Sequence, residues 1–599
     1  MLSLPSCVTL LLSVSFVIGE ITNQGWWKNA VFYQVYPRSF MDANGDGIGD
    51  LQGIINKLEY FKTTGITAIW LSPIYTSPMV DFGYDISNFR DVDQTFGTMK
   101  DLENLIERSK QLGVKIIMDL IPNHTSNKHE WFIKSTNNEQ KYNNYYVWRK
   151  GKNNDNNTAP NNWISVFSGS AWKYNSNRDL WYLHQFEYRQ PDLNYNNPDV
   201  RREIEEIIKF WLGKGIDGFR IDAIPYVYEN DDFPDEPLSN ASGVTSQEYA
   251  YLNHIYSTDN YRTYELVKSW RKILDDWSDT HNEDEKILFT EAYTNLLNTT
   301  KYYRFGSQVP FNFNFITNVH NNSKPAEFKK VIDDWIAQTP INASANWVMG
   351  NHDRSRTATR YPGRADQMTM LAMILPGIAV TYNGEEIAME DKLDISWKAT
   401  QDPQACNTDP KHYKIYSRDP NRTPFQWDDS KNAGFSTNDT TWLPIHENYK
   451  TINLAKQIKD VESHYNLYRR LIMLRSNSNV LKNGTLKIEI LNNDEVLSVI
   501  RQYENENVIL LINFSNDKLQ HINVSSHTNG VTNGTIYISS VQSGIKWNSS
   551  VSVSNITLKG KASLILLVKS NAYTNGTTLT LVSIKLLISI ILISLFKLT

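Results

Sequence analysis

Cysteine is almost missing from this chain. Of 599 residues only Cys7 and Cys406 are cysteines. Cys7 falls inside an N-terminal segment, residues 1–19, that reads as a removable leader, so Cys406 stands alone once it is removed, and no intrachain disulfide is available. An exported protein built this way depends on its core, with help from a metal where one is bound. Basic charge is not in excess either. Sixty Lys and Arg face 65 Asp and Glu for a net charge of −5, which gives nucleic acid no attractive field. No Gly-rich phosphate loop follows the first expected strand, which argues against a doubly wound nucleotide fold. No HExxH or similarly dense ligand spacing marks a zinc hydrolase, although His124 and His352 sit near acidic residues.

What is present is an ordinary globular composition, 40% hydrophobic and 21% charged, on a chain long enough for two or three domains. Seventeen Trp and 32 Tyr are a heavy aromatic load, most of it core and some of it suited to flat ligand faces. The two ends stand apart. "VTLLLSVSFVI" before Gly19 reads as a secretory signal peptide over residues 1–19, although its start lacks Lys and Arg. "LTLVSIKLLISIILISLF" near the C-terminus contains Lys585 and follows Ser570, Asn571 and Ala572. That order fits a lipid-anchor attachment signal over residues 571–599, with a retained membrane span as the alternative. The expected location is therefore the outer face of the plasma membrane. Asn-x-Ser/Thr acceptors at Asn156, Asn298, Asn342, Asn438, Asn513 and Asn555 suit a glycosylated surface.

Eight short apolar segments recur between helix-like stretches: "AVFYQVYP", "AIWLSPI", "KIIMDLIPNH", "DGFRIDAI", "ILFTEAY", "FNFNF", "NWVMGNHD" and "IAVTYNGEE". Segments such as "MKDLENLIERSKQLG" carry apolar residues at helical spacing. Eight alternating units imply an α/β fold, a (β/α)8 barrel over residues 20–124 and 195–478. The Asn-, Trp- and Tyr-rich stretch 125–194 reads as a lid domain inserted after the third strand. From 479 to 570 the pattern changes to apolar–polar alternation with turns, which predicts an antiparallel β-sandwich.

Barrel active sites lie at the C-terminal strand ends. Acidic residues occupy four of them: Asp119, Asp222, Glu291 and Asp353. One such residue is readily a cap or a surface charge; four at corresponding positions form a constellation. Arg220, two before Asp222, shares its strand face. A guanidinium that keeps one carboxylate ionised beside a second, protonated carboxyl is the working state of a retaining glycoside hydrolase.

The strings "DLIPNHTS", "QPDLN", "GFRIDA", "EAY" and "NHD", in that order, resemble the conserved regions of α-amylase-type glycoside hydrolases. "QVYPRSF", "SPMVDFGYDI" and "RDPNRTPFQW" are similar to the α-glucosidase (maltase, oligo-1,6-glucosidase, sucrase) branch. The resemblance covers about Trp26 to Ser570, and the anchored, glycosylated layout looks most like insect gut maltases. It implies Asp222 as nucleophile, Glu291 as general acid/base and Asp353 as the carboxylate that binds sugar hydroxyls. It implies Arg220, His124 and His352 around the reacting glucose, Tyr84 stacked on it, and Asp85 with Arg418 gripping its non-reducing end. Asp119 would support Arg220 and the nucleophile, and Arg422 is expected to be structural. Asn123, a sequon inside "DLIPNHTS", would stay unglycosylated.

"DANGDGIGD" alternates oxygen ligands with glycines, but Gly53 stands where an EF-hand places its final Glu, and a strand precedes it. The resemblance implies a structural Ca2+ held by Asp42, Asn44, Asp46, Asp50 and the carbonyl of Ile48; a metal-free acidic turn is the alternative. No organic cofactor is expected. Ala223, after the nucleophile position, favours α-1,4 linkages in this branch, with sucrose also a candidate and transglucosylation open to a covalent mechanism. Other readings are a non-catalytic transporter-associated subunit, or a surface receptor for bacterial toxins beside catalysis. A dimer is a further arrangement open to the chain.

Overall fold

The protein, seen in a computed structural model, is described here over residues 21–570; the signal peptide and the anchor signal expected at the ends lie outside the described residues. Eight parallel strands form one sheet: β1 (Val31–Val35), β2 (Ala68–Leu71), β3 (Lys115–Leu120), β4 (Gly218–Ile221), β5 (Ile287–Thr290), β6 (Val309–Pro310), β7 (Asn346–Val348) and β8 (Ile378–Tyr382). β1 pairs with both β2 and β8, and the ladder runs from β6 through β5, β4, β3, β2, β1 and β8 to β7. No ladder joins β6 to β7. The Asn346 side chain bridges them instead: its Oδ1 accepts the Asn312 N–H at 2.8 Å and its Nδ2 donates to the Pro310 carbonyl at 2.6 Å. This is the nearly closed barrel expected.

The sixth strand lies earlier than "FNFNF". Pro310 ends it, and Phe311 to Phe313 leads into the short helix Asn314–Thr317. The aromatic alternation misled because those rings pack across the barrel interior, Phe311 against Trp70 and Phe289, and Phe313 against Tyr293.

Two apolar layers hold the barrel. Phe32, Ile117, Phe289, Val348 and Val380 fill the interior, while alternate residues such as Tyr33, Met118, Phe219 and Leu288 face the helices, as the two-residue strand period requires. The helices carry clear stop signals. Met99–Leu112 opens with a Thr98/Asp101 capping box and ends at Gly113 with φ 75°; Pro198–Gly213 starts with Pro after the Asn197 cap. Toward the C-terminal strand ends the interior turns polar. Parallel register sets Asp119 of β3 beside Arg220 of β4.

The insertion 125–194 contains a short helix, Glu130–Thr136, where none was expected, and a three-stranded antiparallel sheet. Its Trp163 and Trp172 pack on Phe233 of the long connection after β4, so insertion and connection form one wall. The C-terminal domain begins with the helix Asn479–Asn483 and continues as a six-stranded antiparallel sheet facing a two-stranded ladder, with an apolar core between them.

Candidate active site

Arg220 organises the site. It is fully buried, and its Nη1 donates to Asp119 Oδ1 and to Asp222 Oδ1, each at 2.7 Å. Its Nη2 pairs with Glu291 Oε2, also at 2.7 Å. Three carboxyls thus share one guanidinium, with Trp70 packed 5.0 Å from it. Asp222 and Glu291 follow β4 and β5 directly, so neighbouring strand ends bring together residues far apart in the chain. Ala223 adopts a left-handed conformation, φ 46° and ψ 35°, and its N–H reaches Glu291 Oε2 at 3.2 Å. That conformation is costly for a β-branched side chain.

Burial raises all three carboxyls, and Arg220 only partly offsets it. Asp119 is pushed up to about 7. Asp222 is raised well above the usual range by burial and by Glu291, Asp119 and Asp353, and Glu291 is raised by burial and Asp353. The expectation of one freely ionised and one protonated group is therefore refined: the cluster titrates as a unit that retains a proton where isolated carboxyls have lost theirs.

Asp353 differs. Burial opposes its ionisation, but His352, Arg422 and Arg418 outweigh burial and hold the carboxyl below its ordinary range. Its side chain is 22% exposed against 12% for Asp222 and 9% for Glu291, making it the carboxylate most open to a ligand. Arg422 is buried and donates to Asp353 Oδ1 at 2.8 Å and to the His352 carbonyl, so it orients Asp353 from behind.

Two histidines line the same cavity, and burial lowers both, His124 to about 3. Gln34 Nε2 lies 2.8 Å from His352 Nδ1, the Tyr84 hydroxyl 2.8 Å from His352 Nε2, and that hydroxyl donates to Asp119 Oδ2 at 3.0 Å. The Gln34 amide donates, which assigns the imidazole proton to Nε2. Asn123 Nδ2 lies 3.2 Å from His124 Nδ1, while the buried His124 Nε2 and Asn123 Oδ1 have no partner. Nε2–H of His124 is thus available to a ligand oxygen. The buried Asn123 amide also donates to Asp192. Asn513, whose sequon suits an exposed position, is instead fully buried and donates to three backbone carbonyls.

One assignment is corrected. Arg418 does not meet Asp85. Its Nη2 pairs with Asp81 at 2.9 Å and its Nη1 with Asp353 at 3.2 Å, while Asp402 grips it in bidentate fashion at 2.7 and 3.0 Å. Asp85 is fully buried and accepts the N–H groups of Val80 and Asp81 and the Ser77 hydroxyl. It shapes the turn that presents Asp81. Both acids stand in "SPMVDFGYDI", and their spacing did not say which faces the cavity. Asp402 carried no signal at all.

The cavity encloses about 280 Å³ and is lined by Asp222, Glu291, Asp353, Tyr84, His124 and His352 together with Asp81 and Arg418. Phe167 and Phe186 from the insertion, Tyr226 and Tyr249 from the connection after β4, and Tyr293 complete its wall. None of these aromatics carries a distinguishing signal in the sequence, though Tyr293 lies inside "EAY".

The alternating loop curls on itself. Asp42 accepts the N–H groups of Gly45 and Gly47, Asp50 those of Ala43, Asn44 and Gly53, and Asp46 that of Ile48. Among the described residues no three His, Cys, Asp or Glu side chains converge as a metal group. The donor set of carboxylates, one amide and one carbonyl has hard-oxygen chemistry suited to calcium, and Asp50 is raised first by burial, with Asp42 adding to it.

A family model described as the α-amylase catalytic domain matches residues 34–484. The chain belongs to the α-amylase family. Maltase 1 of Drosophila virilis is 49% identical over 515 residues, covering 84% of this chain and 80% of that protein. The α-glucosidase of Apis mellifera is 46% identical over 522 residues, 87% and 90% of the two chains. Among solved structures, trehalose-6-phosphate hydrolase of Bacillus licheniformis superposes with a TM-score of 0.77 at 29% identity, over 91% of this chain and 100% of that one. The chain is thus an α-amylase-family glycoside hydrolase.

Proposed function

We propose that this protein is a retaining, exo-acting α-glucosidase that frees terminal glucose from maltose and short malto-oligosaccharides, with sucrose as a further substrate. The observation that carries it is the convergence of Asp222 and Glu291 on Arg220 at a cavity bordered by the Asp81–Arg418–Asp353 pairs. Relatives named maltase and α-glucosidase support it.

In the first step an Asp222 oxygen bonds the anomeric carbon as the glycosidic C–O bond breaks, and the Glu291 proton passes to the departing oxygen. In the second, Glu291 takes a proton from water, the water oxygen bonds that carbon, and the ester to Asp222 breaks. A sugar hydroxyl in place of water gives transglucosylation. Productive chemistry needs the shared proton on Glu291 and the charge on Asp222, while Arg220 contacts both carboxyls at 2.7 Å. Asp353 and His124 would hold the sugar hydroxyls, His352 would line the same subsite while its Nε2–H orients the Tyr84 hydroxyl, and Tyr84 would cover the ring. Asp81 and Arg418 would grip the end that carries no further sugar, which makes the action exo.

We assign a structural calcium to Asp42, Asn44, Asp46, Asp50 and the Ile48 carbonyl, where it would pin the loop after β1. We also assign the protein to the outer cell surface, glycosylated and held by a C-terminal lipid.

The test is a panel of maltose, sucrose, isomaltose, trehalose and starch on wild type and Asp222→Asn. Wild type is expected to favour maltose-like substrates and to use starch poorly, and the variant to lose at least about 10³-fold in kcat/KM, as removal of a nucleophile does. Activity retained by Asp222→Asn would overturn the assignment.

A further inference from the structure

One surface of the C-terminal domain is almost without charge. Between Lys518 and Lys559 lie 40 residues, and Lys546 is the only Asp, Glu, Lys or Arg among them, on a chain that is 21% charged overall. No proline interrupts the stretch either. It builds the strand Asn533–Ser539, the strand Ser550–Ser552 and both strands of the two-stranded ladder, Gln520–Ile522 and Ile556–Leu558. Ser550–Ser552 stands at one edge of the six-stranded sheet, and among the described residues no strand of that sheet lies beyond it. An open edge offers unpaired N–H and C=O groups to any other extended chain, and charge or proline is the usual protection. The opposite edge, Thr485–Leu491, has such protection, since Lys487 and Glu489 stand on it and pair at 2.7 Å. The run "WNSSVSVSNITL" has none, and an uncharged alternation of small and β-branched residues is a composition that pairs readily with its like.

What this surface has instead is acceptor asparagines. Asn523, Asn533, Asn548 and Asn555 each begin an Asn-x-Ser/Thr triplet within those 40 residues, and all four are exposed. Asn533 is the register partner of Ser552 at the edge. Asn548 lies two residues before the edge strand and Asn555 three residues after it, while Asn523 and Asn555 both adjoin the Ile522–Ile556 pair at one end of the ladder. Their amides also point the right way. Asn523 Oδ1 accepts the N–H and the hydroxyl of Ser525 at 3.0 and 2.7 Å, and Asn548 Oδ1 accepts Arg470 Nη2 at 3.0 Å, so the carbonyl side is held and Nδ2 is left to solvent. Acceptors on the barrel differ: Nδ2 of Asn298 donates to Asp259 and Nδ2 of Asn438 to the Gly45 carbonyl, each at 3.0 Å.

We propose that N-linked oligosaccharides on these four asparagines cover the uncharged edge and keep it from pairing with a second copy of this chain. The proposal rests on the assignment to the outer cell surface. At each site Nδ2 loses a proton and bonds C1 of an N-acetylglucosamine, as the bond from that carbon to a lipid diphosphate carrier breaks. The attached sugars are bulky and solubilising, and they supply the polarity that charged side chains give other surfaces. None of the four asparagines lines the reaction cavity, so the shield leaves substrate access alone.

The full-length protein is made in a eukaryotic secretory cell line and its glycopeptides are mapped by mass spectrometry. Oligosaccharide is expected on all four asparagines. Bare asparagine at both Asn533 and Asn548, with oligosaccharide on an exposed acceptor elsewhere such as Asn342, would overturn the proposal alone. A chain bare at every acceptor would overturn the cell-surface assignment together with it. Shielding is read from the combined variant Ser525→Ala, Thr535→Ala, Ser550→Ala and Thr557→Ala, all exposed positions, which removes the four triplets and leaves the asparagines in place. In sedimentation this variant is expected to lose the wild-type particle size to larger species whose share grows with concentration. Adding Ser552→Lys should restore the wild-type size, because one charge on an edge opposes pairing. Enzymatic trimming of the folded wild type to one sugar per site makes the same comparison without a substitution, with circular dichroism reporting that the fold is kept. An unchanged particle size after trimming and in the combined variant, or larger species that Ser552→Lys does not reverse, would overturn the shielding role.

Discussion

Arg220 sets the electrostatics of the site residue by residue. One guanidinium cannot neutralise Asp119, Asp222 and Glu291 together, so a proton stays among them, and that retained proton is what acid catalysis requires. The two acids of "SPMVDFGYDI" separate by role on substitution. Asp81→Asn removes a charged partner of Arg418 at the cavity and should lower kcat/KM about 10- to 100-fold, the range for a charge-assisted bond, with little change in Tm. Asp85→Asn puts an amide where Val80, Asp81 and Ser77 already supply donors, and should lower Tm more than it raises KM. Kinetics and thermal melts on both variants check this, and the reverse pattern would restore Asp85 to the sugar. Arg220 and Asp222 were legible because strand period fixes residues two apart on one face. Asp81 against Asp85 was not, because a turn has no period, and Met79 and Phe82 within it adopt positive φ.

Elements were more legible than their connections. Apolar strands with caps and glycines between them are strong local signals, and seven of the eight strands fell on the segments read from them. The sixth failed because a two-residue strand is too short to carry a pattern and the aromatics after it mimic one. The connection after β8 supplies Asp402, Arg418 and Arg422 through non-local ion pairs that no local spacing encodes. It is also tied to the "DANGDGIGD" loop, since Ser436 donates to Asp42 and Asn438 Nδ2 donates to the Gly45 carbonyl at 3.0 Å. If that loop holds calcium, chelation should loosen this wall as well as the loop. Adding EGTA is expected to lower Tm by several degrees, and restored Ca2+ to reverse it at the same protein concentration. An unchanged Tm would favour a turn closed only by its own hydrogen bonds.

Across the whole molecule, buried carboxyls tilt stability toward mildly acidic pH. Burial raises Asp85 to about 6, and Asp119 and Asp192 to about 7. Each binds its proton more tightly folded than unfolded, so the folded state is favoured most below the unfolded value of about 4 and loses that advantage as pH rises through 6 to 7. Asp284 works in the opposite sense: burial opposes its charge, but Lys115, Thr22 and Asn23 prevail and lower it to about 2, so its contribution is lost as pH falls from about 4 toward 2. Tm should therefore peak near pH 4 to 5 and decline toward pH 8; a steady rise over pH 5 to 8 would contradict the burial argument.

The chemistry itself is tested most directly by the configuration of the first-formed glucose. Proton NMR in the first minutes of maltose hydrolysis, before mutarotation, should show the α-anomer released at the cleaved bond, because two inversions at the anomeric carbon, through the ester to Asp222, restore the starting configuration. Initial release of the β-anomer would mean that water attacks directly, and Asp222 would not be the nucleophile.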